Sequence, residues 1–231
     1  ISLIEAWAMT ETGCSVAVIA SEEPRKVGTA CFGRPPDHMD YRLLDESGKP
    51  VAQGKPGELL VRRSGEQPRR GFFSGYLKDP EATRAAWAED YFHTGDLVYV
   101  DDDGLMHFVD RIKNVIRRSG ENISAVEVEE VIREHPAVQA IGVTAVADEI
   151  RGDEVFACIV TDSDMETISR DLIEHSLKRL AYYKAPGYFA RVDALPLTAT
   201  EKVQRSSLKD LARSLLASGN CIDLRALKVR Q

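Results

Sequence analysis

Three short segments combine residue types that can handle a nucleotide. In Trp7-Ala8-Met9-Thr10-Glu11-Thr12 an aromatic is followed by small residues, a hydroxyl and a carboxylate. Such a set can stack a base, donate to a phosphate oxygen and hold a magnesium ion, which needs only one or two protein carboxylates because water and phosphates complete its shell. Taken alone, a Thr-Glu pair is equally a routine helix start. In Tyr91-Phe92-His93-Thr94-Gly95-Asp96-Leu97 aromatics run into a Gly and an Asp. An Asp in a tight turn can accept hydrogen bonds from both hydroxyls of a ribose; the plain alternative is a turn ahead of a hairpin. The stretch from Asp110 to Ile123 opens with four cations in eight residues, Arg111, Lys113, Arg117 and Arg118, with Gly120 close behind. Cations there can meet phosphates or form a solvated face.

The elements around these segments change character near Asp110. Before it, Tyr41 to Leu44, Gly57 to Val61, Val98 to Val100 and Leu105 to Val109 are short apolar runs separated by turn signals. They predict antiparallel strands and hairpins. The triplet Asp101-Asp102-Asp103 lacks the further ligands and the closing Glu of a calcium loop and is expected to be a solvated turn. After Asp110, Ser124-Ala125-Val126-Glu127 has the form of a capping box ahead of Val128, Val131 and Ile132, so a helix is expected from about Ala125 to Glu134. Ser163-Asp164-Met165-Glu166 repeats the device before Ile168, Leu172, Leu177 and Leu180. A third amphipathic run holds Leu208, Leu211, Ala212, Leu215 and Leu216. Val138 to Val146 and Val155 to Val160 are rich in β-branched residues and read as strands covered by those helices. The expected class is α+β, with an antiparallel β-barrel-like part at about 37–109 and a small sheet flanked by helices in three layers over 110–218. A polar tail is expected over 219–231.

Composition narrows the function classes. The chain has 231 residues, 43% of them hydrophobic and 29% charged, which is ordinary for a globular protein. Thirty Lys and Arg against 37 Asp and Glu give a net charge of −7, which opposes non-specific attraction to nucleic acid or anionic lipid. The imbalance lies in residues 1–110, with 12 basic and 19 acidic side chains, whereas 111–231 hold 18 of each. Cys14, Cys31, Cys158 and Cys221 lie far apart with no C-x-x-C, so neither a zinc site nor a disulfide framework is expected, and a reducing cytoplasm is the simplest home. No apolar run reaches about 18 residues, so no membrane span is expected. The chain opens on Ile1 without an initiator Met or a basic leader and reads as a piece of a longer polypeptide.

Together and in this order the three segments resemble the adenylate-forming superfamily of acyl-CoA synthetases, peptide-synthetase adenylation domains and luciferase. Two further matches extend the resemblance to about residue 211: Gly75-Tyr76-Leu77-Lys78-Asp79-Pro80-Glu81-Ala82-Thr83, and Leu195-Pro196-Leu197-Thr198-Ala199-Thr200-Glu201-Lys202-Val203-Gln204-Arg205. The stretch Arg118 to Ser124 looks most like fatty-acyl and carnitine or crotonobetaine CoA ligases. The resemblance implies an ATP-dependent, AMP-forming acid–thiol ligase. A carboxylate attacks the α-phosphate of ATP to give acyl-AMP and pyrophosphate, and the thiol of coenzyme A then displaces AMP. It also implies Mg2+ as cofactor, a carboxylic acid with an acyl chain as the partner substrate, and room for a homo-oligomer.

Carried over by position, the resemblance makes Trp7 the adenine-stacking aromatic, Thr10 the phosphate-contacting hydroxyl and Glu11 the magnesium ligand. Asp96 and Arg111 become ribose contacts, and Lys202 the lysine bridging carboxylate and α-phosphate. Asp110 becomes a hinge for the mobile domain, and Gly120 the residue beside the pantetheine channel. Residues 1–109 would then be the end of a large AMP-binding domain. Glu201 stands where the family has Gly, so a turn requiring positive φ is expected to be strained there. A phosphate loop rich in Ser, Thr and Gly is missing, so this chain alone is expected to be inactive. Two other readings remain open: an adenylating domain that delivers to a carrier protein, and a non-catalytic domain that keeps the fold.

Overall fold

The computed structural model describes residues 4–13, 16–21 and 26–229. They form two compact units, 1–113 and 114–231. Cys14 lies outside the described residues.

The first unit contains β1 (Ala6–Trp7), β2 (Val18–Ile19), β3 (Cys31–Gly33), β4 (Met39–Leu44), β5 (Gly57–Arg63), α1 (Pro80–Ala85), β6 (Trp87–Ala88), β7 (Tyr91–Val100) and β8 (Met106–Arg111). β1 and β2 pair with each other, while the main sheet runs β3-β8-β7-β5-β4 with β6 added to β7. All of its pairings are antiparallel, as the hairpin signals predict. No pairing among the described residues joins β3 to β4, so the barrel-like part is an open sheet. Trp7 of β1 packs with Phe32, Leu59, Val61, Phe92, Val98 and Met106 of the main sheet in one core.

The loop between β7 and β8 is the expected turn, with Asp102 and Asp103 exposed and only Asp101 drawn in. Asp101 accepts the backbone N–H groups of Asp103 and Leu105 on one oxygen. Its other oxygen meets Lys26 Nζ at 2.5 Å and His107 Nε2 at 2.8 Å. The acidic triplet is thus tied to a distant Lys. No group of three or more metal-ligating side chains assembles among the described residues.

The second unit contains β9 (Ile116–Arg118), β10 (Glu121–Ile123), α2 (Ala125–Arg133), β11 (Ala140–Asp148), β12 (Gly152–Val160), α3 (Met165–Leu177), β13 (Tyr188–Arg191), α4 (Arg205–Ala217) and β14 (Ile222–Asp223). Its sheet runs β10-β9-β12-β13-β14, with β11 also on β12. Because side chains alternate along a strand, β12 sends Val155, Ala157 and Ile159 to one face and Phe156 and Cys158 to the other. The first set packs with Val128 and Ile132 of α2 and Ile168 and Leu172 of α3. The second packs with Leu208 and Ala212 of α4. A continuous apolar strand in this sequence therefore means a sheet covered on both sides.

Two helix starts refine the sequence reading. Ser124 caps α2 by accepting the Glu127 N–H at 3.2 Å. α3 is capped by Asp164 rather than Ser163: its carboxylate accepts the Thr167 N–H at 3.0 Å, where its charge also suits the positive end of the helix.

The polar tail is also different from expectation. β14 pairs antiparallel with β13, Leu224 is buried, and the Lys228 side chain is wholly buried against Glu154. The exposed edge of β13 explains this, since an unpaired edge offers a row of N–H and C=O groups to any short extended segment.

Glu201 adopts φ +60°, so the positive φ expected at that position is present. A Cβ in this region crowds the backbone at a cost of about 1 kcal/mol. Glu201→Gly is therefore expected to raise the unfolding free energy of the second unit by up to about 1 kcal/mol, less the chain entropy that Gly adds. A lower thermal midpoint in the variant would contradict this.

Burial pushes the Lys228 ammonium down from 10.5 to about 8, with Glu154 pulling the other way. The folded value lies below the unfolded one, so between the two the unfolded chain binds more protons and stability rises with pH. The stability of the native chain relative to Lys228→Met is expected to increase from pH 8 to 10.5 in denaturant titrations. A pH-independent difference removes this assignment.

Candidate functional site

The first unit brings Trp7, Asp96 and Arg111 together. Asp96 lies within β7, not in a free turn, and follows Gly95, which takes φ +68°. It stands opposite Arg111 in the β7–β8 register, and Leu97 stands opposite Asp110. The Trp7 indole N–H donates to Asp96 Oδ2 at 2.8 Å. Arg111 Nε lies 2.7 Å from Oδ1, yet no hydrogen-bond donor among the described residues is directed at that oxygen. The contact is an ion pair that covers Oδ1, which is buried without a directed hydrogen bond. Arg111 is held in place by donating from Nη1 to Thr94 O at 3.1 Å. Thr94 is itself fixed, donating to Leu59 O at 2.6 Å and accepting the Asp96 N–H at 3.0 Å.

Burial pushes the Asp96 carboxyl above its ordinary range; Trp7 and Arg111 oppose this, and Asp110 and Glu11 reinforce it. Asp96 is only 2% exposed, so its charge depends on those two partners. Asp110 is equally buried and accepts the Arg111 N–H at 2.7 Å.

Trp7 does not offer an open stacking face. Its ring is 7% exposed and tilted 30° against Phe32 at 6.2 Å, within the core. Its polar edge, rather than its π face, reaches the site.

Thr10 is exposed in a turn closed by the Gly13 N–H donating to its carbonyl. Thr12 is the buried hydroxyl of that turn and bonds the Met9 backbone. Glu11 accepts the Tyr76 hydroxyl at 3.2 Å. Tyr76 is positioned through Thr83, whose Oγ1 accepts the Tyr76 N–H at 2.9 Å and donates to Asp79 O at 2.9 Å. Tyr76 and Thr94 belong to the motif segments, but no side-chain chemistry in the sequence singled them out. A single carboxylate with open oxygens fits a hard cation whose remaining ligands are water and phosphate.

In the second unit, Lys202 is exposed on a turn where Thr198 N–H donates to Lys202 O at 2.7 Å and Lys202 N–H donates to Thr198 Oγ1 at 3.2 Å. That turn is rooted by Arg205 at the start of α4. Arg205 pairs with both oxygens of Glu129, at 2.5 and 2.8 Å, and donates to Val143 O at 3.0 Å. Gly120 occupies the β9–β10 turn at φ +84°, after Ser119 at φ +53°. Two successive positive φ values are those of a type I′ hairpin turn.

The AMP-binding enzyme family matches residues 1–77, and the AMP-binding enzyme C-terminal domain matches 127–202. The human mitochondrial acyl-coenzyme A synthetase ACSM5 is 35% identical over 90% of this chain. A crotonobetaine/carnitine–CoA ligase from Salmonella paratyphi B is 32% identical over 90% of it. The chain spans 36% and 40% of the lengths of these two relatives. Among solved structures, o-succinylbenzoate CoA synthetase from Bacillus subtilis, in complex with the acyl-adenylate intermediate OSB-AMP, superposes with a TM-score of 0.77 at 31% identity. That match covers 90% of this chain and 41% of the other. The anthranilate CoA ligase AuaEII, in complex with anthranoyl-AMP, gives 0.76 at 28% identity, covering 93% and 40%. Two family domains matched in order, over a fold shared with CoA ligases, place this chain in the adenylate-forming family of AMP-binding enzymes.

Proposed function

We propose that the chain supplies the nucleotide-ribose site and the mobile C-terminal domain of an ATP-dependent, AMP-forming acyl-CoA ligase. The observation that carries this reading is the Asp96 carboxylate: one oxygen is held by Trp7 and the other, beside Arg111, keeps lone pairs without a directed donor. A vicinal diol is a pair of donors that such an oxygen can accept once Arg111 shifts aside to uncover it, and the Arg111 charge favours the ionised form against burial. The names of the relatives support CoA as the thiol substrate and a carboxylic acid as its partner.

In this reading Trp7 orients Asp96 by its N–H. Thr10 donates to a phosphate oxygen from its exposed turn, and Glu11 is the residue that would hold magnesium. When bound, that ion offsets charge on the phosphates. Lys202 brings a mobile ammonium to the negative charge that develops as the carboxylate attacks the α-phosphate. Gly120 has no Cβ, and no atom of the described residues lies within 4 Å of where one would stand. A thin pantetheine arm can pass along that open backbone, and Asp110 is the hinge about which the second unit turns between half-reactions.

In the full-length protein Lys202→Ala is expected to slow acyl-adenylate formation about 100-fold or more while sparing thioester formation from supplied acyl-adenylate. Equal loss in both steps, or intact activity in both, removes Lys202 from this role, and absence of both half-reactions in the native full-length protein would favour a domain that keeps the fold without the chemistry. A Trp at Gly120 is expected to do the reverse, slowing thioester formation at least tenfold through steric block and positive-φ strain. An unaffected thioester rate overturns the channel assignment.

A further inference from the structure

Three consecutive residues of the Gly120 hairpin are held by the β11–β12 turn and the start of β12. The Arg117 N–H donates to Asp153 Oδ2 at 3.0 Å, Arg118 Nε donates to Glu154 Oε2 at 2.9 Å, and the Ser119 N–H donates to Arg151 O at 2.8 Å. The middle contact is the strong one. Arg118 and Glu154 have side-chain exposures of 3% and 0%, so their pairing is not screened by water. The other Glu154 oxygen accepts the Val155 N–H at 2.9 Å and the ammonium of Lys228, itself wholly buried. The carboxylate is wedged: a Cβ on Gly187 would come within 2.7 Å of Glu154 Cδ. Gly187 in turn accepts the Leu224 N–H at 2.8 Å, which docks the segment carrying Lys228.

One carboxylate therefore joins the hairpin, the central strand and the C-terminal segment. We propose that Glu154 is a positioning residue for the Ser119–Gly120 turn, and that the segment 222–229 completes its setting through Lys228, so that the docked segment and the ordered turn form one unit. A buried anion shared by two cations gives this coupling its force, because among the described residues neither cation has another carboxylate partner if Glu154 loses its charge. The link to thioester formation rests on the reading of Gly120 given above.

Amide hydrogen exchange on the full-length protein reads the turn directly. Glu154→Gln keeps the shape and removes the shared charge. It is expected to speed exchange at residues 117–120 about tenfold relative to α2 and α3. Thioester formation from supplied acyl-adenylate is expected to slow about tenfold, with acyl-adenylate formation held within about twofold. Because this variant strands both cations, Glu154→Gln combined with Lys228→Met, which strands only Arg118, is the companion. The pair is expected to keep α2 and α3 protected with the turn still loosened. Turn amides as protected as in the native protein overturn the positioning role, as does an equal loss of both half-reactions in a folded variant. A loosened turn with intact thioester formation upholds the hold of Glu154 on the turn and overturns the reading of Gly120 instead.

Discussion

A carboxylate taken out of water must be met by donors or it costs several kcal/mol, and three such groups organise this protein. Asp96 joins residues 7 and 111, Glu129 joins 143 and 205, and Glu154 joins 118 and 228. Each sits on or beside a strand or helix whose apolar face is fixed by the core, so the charge is carried inward by packing and the partners must follow. Replacing Arg111 or Arg205, or Arg118 and Lys228 together, leaves the anion buried without a cationic partner among the described residues, which is far more costly than losing a surface pair. The same constraint puts the motif residues in place: Arg111 reaches Thr94 and Asp96, and Arg205 roots the turn that carries Lys202.

Local grammar made much of the fold legible. Ser124 announces α2 because a hydroxyl before an apolar run at helical spacing satisfies an orphan N–H, and β11 and β12 announce themselves by β-branched runs. Asp164 replaces Ser163 as a cap because both can serve, and register settles which one does. The C-terminal segment was not legible, since Cys221-Ile222-Asp223-Leu224 is too short and mixed to signal a strand. It is ordered by the open edge of β13, which sequence pattern alone does not reveal.

The candidate site divides in the same way. Its residue types were readable from the ordered motifs, but their arrangement depends on partners 89 residues apart for Trp7 and Asp96 and 76 apart for Arg205 and Glu129. That separation explains why Trp7 reads as a stacking platform from its motif and is found with its ring in the core and its N–H on Asp96. It also explains why Tyr76 gained a partner in Glu11 only once the chain was folded. Glu201 is the opposite case, because a backbone conformation is a local property and its positive φ follows from the turn itself.

Each of the three carboxylate joints closes inside one unit: Asp96 and its partners within 1–113, Glu129 and Glu154 and theirs within 114–231. These three charges are therefore balanced unit by unit. A second unit taken whole from a relative brings its own counter-ions with it, whereas a crossover placed between Arg118 and Glu154 separates a buried charge from its partner. Recombination among such enzymes, in nature or in the laboratory, is favoured at the join and penalised within the small domain, so the positions of buried counter-ions map where chimeras of this family can be cut.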